Sequence, residues 1–176
     1  MTNIKNNGII EGEVMIGDVL FFKRNDSFIS RIIAYFTKSE YTHVGLIVGY
    51  DECTNIATII ESDRFVDTRI NVIELNQQEH VVYTLDKSQD ETDKIIKYAY
   101  KSVGIKYDYL QILGLFLSLL FNIKYRFFDR SNKLICSELI DLSYHKAGIK
   151  RNTDINLGNV TPQELLEVYD FRIRKG

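Results

Sequence analysis

Strand-like and helix-like patterns are segregated along this chain instead of alternating regularly. Short apolar and β-branched runs dominate up to Leu85, and helical periodicities follow from Asp90. That order argues against a doubly wound parallel sheet, and it predicts an α+β fold in which a mostly antiparallel sheet or barrel packs against helices. Met15–Phe22 (MIGDVLFF) reads as a strand entered through Gly17-Asp18, and Ser27 as the N-cap of an amphipathic helix over Phe28–Phe36. His43–Val48 and Ala57–Ser62 read as two strands joined by the polar turn Tyr50–Ile56, hence a hairpin. Arg69–Leu75 and His80–Leu85 are further strands. Asp90–Val103 is an amphipathic helix with an acidic first turn, stopped by Gly104. An apolar helix follows at 109–121, then a helix over Leu134–Ala147 ending at Gly148. Thr161-Pro162-Gln163-Glu164 is a capping box with Pro at the first helical position, and Val168–Ile173 reads as a last strand.

At 176 residues the chain has the length of one domain, about 100–200 residues being typical, and residues 1–176 are read as a single domain. The net charge of -2 gives no basic excess for a nucleic-acid partner. Two cysteines, Cys53 and Cys136, cannot build a disulfide framework, and with three histidines they show no zinc-site spacing. No metal or other cofactor is expected. The N-terminal MTNIKNNGIIEG lacks an apolar signal core, so a cytoplasmic chain is expected. Residues 109–123 (YLQILGLFLSLLFNI) fall short of the roughly 18–20 apolar residues of a membrane span. They read as a core helix, or as an apolar surface that meets a membrane or a lipid substrate.

Three residues stand out for chemistry. His43 opens a strand, and Gly45, two residues on, lies on the same face and removes bulk beside the imidazole. Glu61 ends an apolar strand, where a carboxylate is costly unless partnered. A hairpin centred on Glu52 would set His43 and Glu61 directly opposite each other, with Cβ atoms about 5 Å apart. A one-residue slip would send Glu61 to the other face. Cys136 stands where an apolar segment enters a helix, and the positive end of a helix favours thiolate. Each also has an ordinary reading: a strand-capping histidine, a solvated glutamate, a small buried cysteine. Cys53, in the acidic turn Asp51-Glu52-Cys53, is the weaker nucleophile. His80 follows a surface-like polar run, and His145 lies more than two helical turns beyond Cys136. Asp18 reads as a strand opener, so it and Tyr107 are secondary candidates, Tyr107 as a phenol lining a pocket near Cys136.

The series GDVLFF, SFISRIIAYFTKSEYTHVGLIVG, ATIIES, GIKYDYLQILGL and LICSELIDLSYHKAG resembles the permuted papain-like enzymes of the NlpC superfamily, closest to cysteine amidases of YiiX/YaeF type. The resemblance covers about Met15 to Gly148. It implies an antiparallel sheet against helices, with His43 as base, Glu61 as its orienter and Cys136 as nucleophile. It also implies that Tyr107, and Tyr41 in the His43 motif, touch substrate. Cys136-Ser137-Glu138-Leu139 departs from the Cys-Glu-His of lecithin–retinol acyltransferase-like proteins. The expected function is amide hydrolysis through a thioester acyl-enzyme. A lipid-directed acyl hydrolase or acyltransferase and a non-catalytic binding module are the alternatives, with a small molecule, peptide or lipid amide as the partner.

Overall fold

A computed structural model describes residues 9–23, 39–63, 67–77, 79–107, 133–158 and 160–175. The helix expected over Phe28–Phe36 and the apolar segment 109–123 lie outside the described residues. Nine strands are described: β1 (Ile9–Glu11), β2 (Val19–Lys23), β3 (Tyr41–Asp51), β4 (Ile56–Ser62), β5 (Thr68–Glu74), β6 (His80–Thr84), β7 (Lys106–Tyr107), β8 (Lys133–Leu134) and β9 (Arg172–Lys175). Seven form one sheet in the order β1-β9-β6-β2-β3-β4-β5. Only the β1–β9 pair is parallel; every other pair in that sheet is antiparallel. β7 and β8 make a separate two-residue parallel pair.

The helices start where the capping chemistry puts them. Ser88 caps α1 (Gln89–Ser102) in a full capping box with Glu91, and Thr161 does the same with Glu164 for α3 (Pro162–Val168). α2 (Cys136–Ala147) ends at Gly148, whose φ of 95° is open to glycine at little cost. Two boundaries differ from the sequence reading. α2 begins at Cys136 and not Leu134, because Lys133–Leu134 pair with β7 and Ile135 is the N-cap. The last strand begins at Arg172, because α3 runs to Val168 and the apolar Tyr169 and Phe171 are taken into the core ahead of it.

The main core lies between one sheet face and the helices. Val19, Phe21, Val44, Leu46 and Ile60 from the strands meet Ile95 and Ala99 of α1, Leu139, Ile140 and Tyr144 of α2, and Leu165 and Val168 of α3. Leu20, Ile47, Ala57 and Ile59 form a second cluster on the opposite face. Both faces of the central strands are therefore apolar, as their near-continuous hydrophobic runs require.

The register of β3 decides what faces what. Asp51↔Ile56, Tyr50↔Ala57 and Gly49↔Thr58 pair first, and then the ladder shifts by one residue to Ile47↔Ile59 and Leu46↔Ile60. Val48 is the extra residue, a β-bulge. Had the first register continued, Glu61 would stand opposite Leu46 and point toward the helices. The bulge turns it onto the face of His43. The two residues are thus diagonal neighbours and not direct opposites, as a hairpin centred on Glu52 would have made them. A second irregularity, between Phe22↔His43 and Lys23↔Tyr41, leaves Thr42 unpaired on the other side of His43.

A packing reason for Gly45 is visible as well: a Cβ there would come 2.7 Å from Cδ1 of the fully buried Ile59. Gly45→Val is expected to cost about 1–3 kcal/mol through overpacking, measured as a lower urea midpoint at unchanged slope.

Candidate active site

His43 lies on β3 between the two irregularities, with its side chain 22% exposed. Its Nε2 is 2.8 Å from Oε2 of Glu61, and Glu61 is only 3% exposed. The other carboxylate oxygen, Oε1, accepts from Arg69 Nε at 3.0 Å and from Asn71 Nδ2 at 2.9 Å. Arg69 stands directly opposite Glu61 in the β4–β5 ladder. Asn71, two residues along, therefore shares its face. Arg69 Nη2 also donates to Asp63 Oδ2 at 3.1 Å.

On the other side of the charge balance stands Cys136, whose sulfur is close enough to the His43 ring for the two groups to shift each other's ionisation. Cys136 is the first residue of α2 and is 7% exposed. Two backbone N–H groups, of Ser137 and Val44, are directed at its sulfur. Ser137 belongs to the open first turn of the helix, whose N–H groups have no intrahelical partner. Val44 is free for a sheet reason. Ile47 N–H donates toward β2, to Asp18 O, so Val44 and Leu46 present theirs toward β4. The β3–β4 ladder stops at Leu46↔Ile60 and leaves the Val44 N–H to the sulfur.

These contacts set the charges. Burial would raise the Cys136 thiol, but the His43 charge and hydrogen bond, with the Val44 and Ser137 amides, hold it below the ordinary cysteine value. Burial would lower His43; the Cys136 charge and hydrogen bond, then those of Glu61, lift it from 6.5 to about 10. Burial would raise Glu61; His43 first, then Asn71 and Arg69, bring it from 4.5 to about 2. The arrangement favours a thiolate, an imidazolium and a carboxylate in a row.

The other candidates fall elsewhere. The Tyr41 ring is 8% exposed and edge-on to Phe21, and its hydroxyl is 2.9 Å from that of Tyr83. The Tyr107 backbone pairs with Leu134, two residues before Cys136, and its side chain lies outside the described atoms. Cys53 is exposed in its turn, far from the helix N-terminus, with its N–H bound to Asp51. His80 accepts from the Asn76 N–H through Nδ1, and Phe22 stands between its ring and that of His43. His145 is exposed near the end of α2. Asp18 is completely buried and holds Lys87 at 3.0 Å and Arg174 at 2.8 Å, a tie between β2 and β9. Arg69 and Asn71 escaped the sequence reading. Their signal was there: polar side chains alternate with Ile70 and Val72 on a strand, so one face of β5 is polar where a buried glutamate needs donors.

The sequence matches the family of permuted papain-like amidase enzymes, YaeF/YiiX, C92 family, over residues 13–165. The chain belongs to that family. The fold is similar to the crystal structure of metalloprotein yiiX from Escherichia coli O157:H7, with a TM-score of 0.60 and 17% identity over 90% of this chain and 94% of that one. No curated protein matches the sequence. Membership makes the chain one of a group of amidase enzymes on a permuted papain-like α+β fold. Among the described residues, no group of three or more His, Cys, Asp or Glu side chains is placed to hold a metal ion. No helix among them is long and apolar enough to cross a membrane, and residues 109–123 lie outside that statement.

The Glu61 shift fixes a pH dependence. A carboxylate whose folded pKa is depressed from 4.5 to about 2 contributes stability that is fully present above 4.5 and lost as pH falls toward 2. With each unit worth about 1.4 kcal/mol, Glu61→Gln is expected to cost a few kcal/mol at pH 6. The gap in melting temperature to wild type, roughly 5–10 °C, should close as pH drops from 4.5 toward 2.

Proposed function

We propose that the chain is a cysteine amidase that cleaves an amide bond through a thioester acyl-enzyme, with Cys136 as nucleophile, His43 as acid and base, and Glu61 as the group that orients His43. The observation that carries this reading is one imidazole that binds the buried Glu61 carboxylate at 2.8 Å and interacts electrostatically with the Cys136 sulfur. Nucleophile, base and orienter within reach of one another are the elements covalent catalysis requires.

The steps follow from the charges. The Cys136 thiolate attacks the amide carbonyl carbon, and the carbonyl oxygen becomes an oxyanion. The Cys136 backbone N–H, at the positive end of α2, is suited to hold it. The His43 imidazolium gives its proton to the amide nitrogen as the C–N bond breaks, and the amine leaves. His43, now neutral, takes a proton from water, whose oxygen attacks the thioester. The C–S bond breaks, the acid is released, and the thiolate–imidazolium pair is restored. Glu61 stays ionised throughout and holds the ring in place.

One sheet takes strands from both β1 and β9, which supports reading residues 1–176 as one domain. A peptide or small-molecule amide is the proposed substrate. The lipid-directed alternative rests on residues 109–123, outside the described residues, and the binding-module alternative leaves the row of charges without a purpose.

Iodoacetamide near neutral pH is expected to alkylate Cys136 roughly tenfold or more faster than the exposed Cys53, and His43→Ala should abolish the difference. Cys136→Ala should lower hydrolysis of a responsive amide roughly 1000-fold. Equal alkylation of the two cysteines in the wild type would refute the proposal.

A further inference from the structure

Glu61 has more partners than holding an imidazole requires. A carboxylate that meets a histidine through one oxygen is free to rotate about its last torsion unless the other oxygen is also held. Here Oε1 is held twice, by Arg69 Nε and Asn71 Nδ2. Both donors come from one strand, β5, at alternate positions on one face. Arg69 is itself fixed, because Nη2 donates to Asp63 Oδ2 on the segment leaving β4. Its side chain is 42% exposed, so it does not serve as a core ion pair. The charged and titratable groups facing Glu61 among the described residues are His43 from β3, Arg69 from β5 and, through Arg69, Asp63; Cys136 lies beyond His43.

We infer that Arg69 and Asn71 are positioning residues, which pin Glu61 through Oε1 so that only Oε2 is offered to His43 and the ring stays aligned with Cys136. The inference rests on the reading of Cys136 as the nucleophile. It adds that the edge strand β5, which supplies no group to the reaction itself, governs how well the His43 ring is aimed. Loss of either donor lets the carboxylate turn, weakens the Nε2–H···Oε2 bond and loosens the ring at the sulfur. A purely structural role would instead lower stability and leave the ring and the sulfur as they are.

The test uses the full chain and iodoacetamide. Arg69→Ala, Arg69→Lys and Asn71→Ala are compared with wild type for the Cys136 alkylation rate at pH 7 and for the proton resonance of His43 Nε2–H. Arg69→Ala and Asn71→Ala are each expected to slow Cys136 alkylation about fivefold or more and to move that resonance upfield. Arg69→Lys, which keeps a cationic donor but not the two-pronged one, is expected to recover part of both. Wild-type rate and resonance in folded Arg69→Ala and Asn71→Ala would overturn the inference. If Arg69→Ala does not fold, Asn71→Ala decides by the same two readouts. Failure of the underlying reading looks different: wild-type Cys136 would then react no faster than Cys53, whatever the variants do.

Discussion

Burying an ionised carboxylate is among the costliest things a fold can do, and Glu61 is buried to within 3% of complete exclusion from solvent. Much of the surrounding structure answers that cost. Three side chains from two neighbouring strands donate to its two oxygens. The bulge at Val48 turns the residue away from the apolar space under the helices and toward those donors. The end of the β3–β4 ladder, just beyond Leu46↔Ile60, frees a backbone amide for the sulfur that completes the row. Sheet register, strand irregularity and charge placement are thus one problem with one solution.

Helix α2 supplies the other half. It brings a cysteine to its first turn because Lys133–Leu134 are tied down by β7 and the helix cannot start earlier. Its apolar face, Leu139, Ile140 and Tyr144, is committed to the core, and Tyr144 also bonds the Gly17 carbonyl at 2.8 Å. The buried Ser137 hydroxyl donates to the Val160 carbonyl. The helix is therefore fixed in rotation, and Cys136 with it. Family membership as a permuted papain-like amidase gives the class of chemistry; the row of charges gives it a physical route.

Much of this was legible in the sequence, and the failures are instructive. The order of strands and helices, the two capping boxes and Gly148 follow from local chemistry, which tertiary contacts did not override. The conjunction of His43 with Glu61 was legible in parity alone. The face was right, but the partner across from His43 was two residues off: the turn is centred between Cys53 and Thr54 and not on Glu52, a three-residue shift in pairing of which the bulge at Val48 takes back one and so restores the face. Tyr41 stands out in the sequence because it adjoins His43; the irregularity at Thr42 turns its ring into the aromatic core beside Phe21 and Tyr83. Asp18 looked like a strand opener and is a buried ion-pair centre, since its partners Lys87 and Arg174 are far away in the chain. Long-range partners of that kind have no local signature.

The central claim is that His43 carries a proton between two anions at neutral pH. Nitrogen-15 NMR of the His43 ring across pH addresses it directly. Both ring nitrogens should remain protonated through neutrality and titrate only near pH 10, against 6.5 for an ordinary histidine. A ring that loses its proton near pH 6.5, with one nitrogen unprotonated at pH 7.5, would contradict the account.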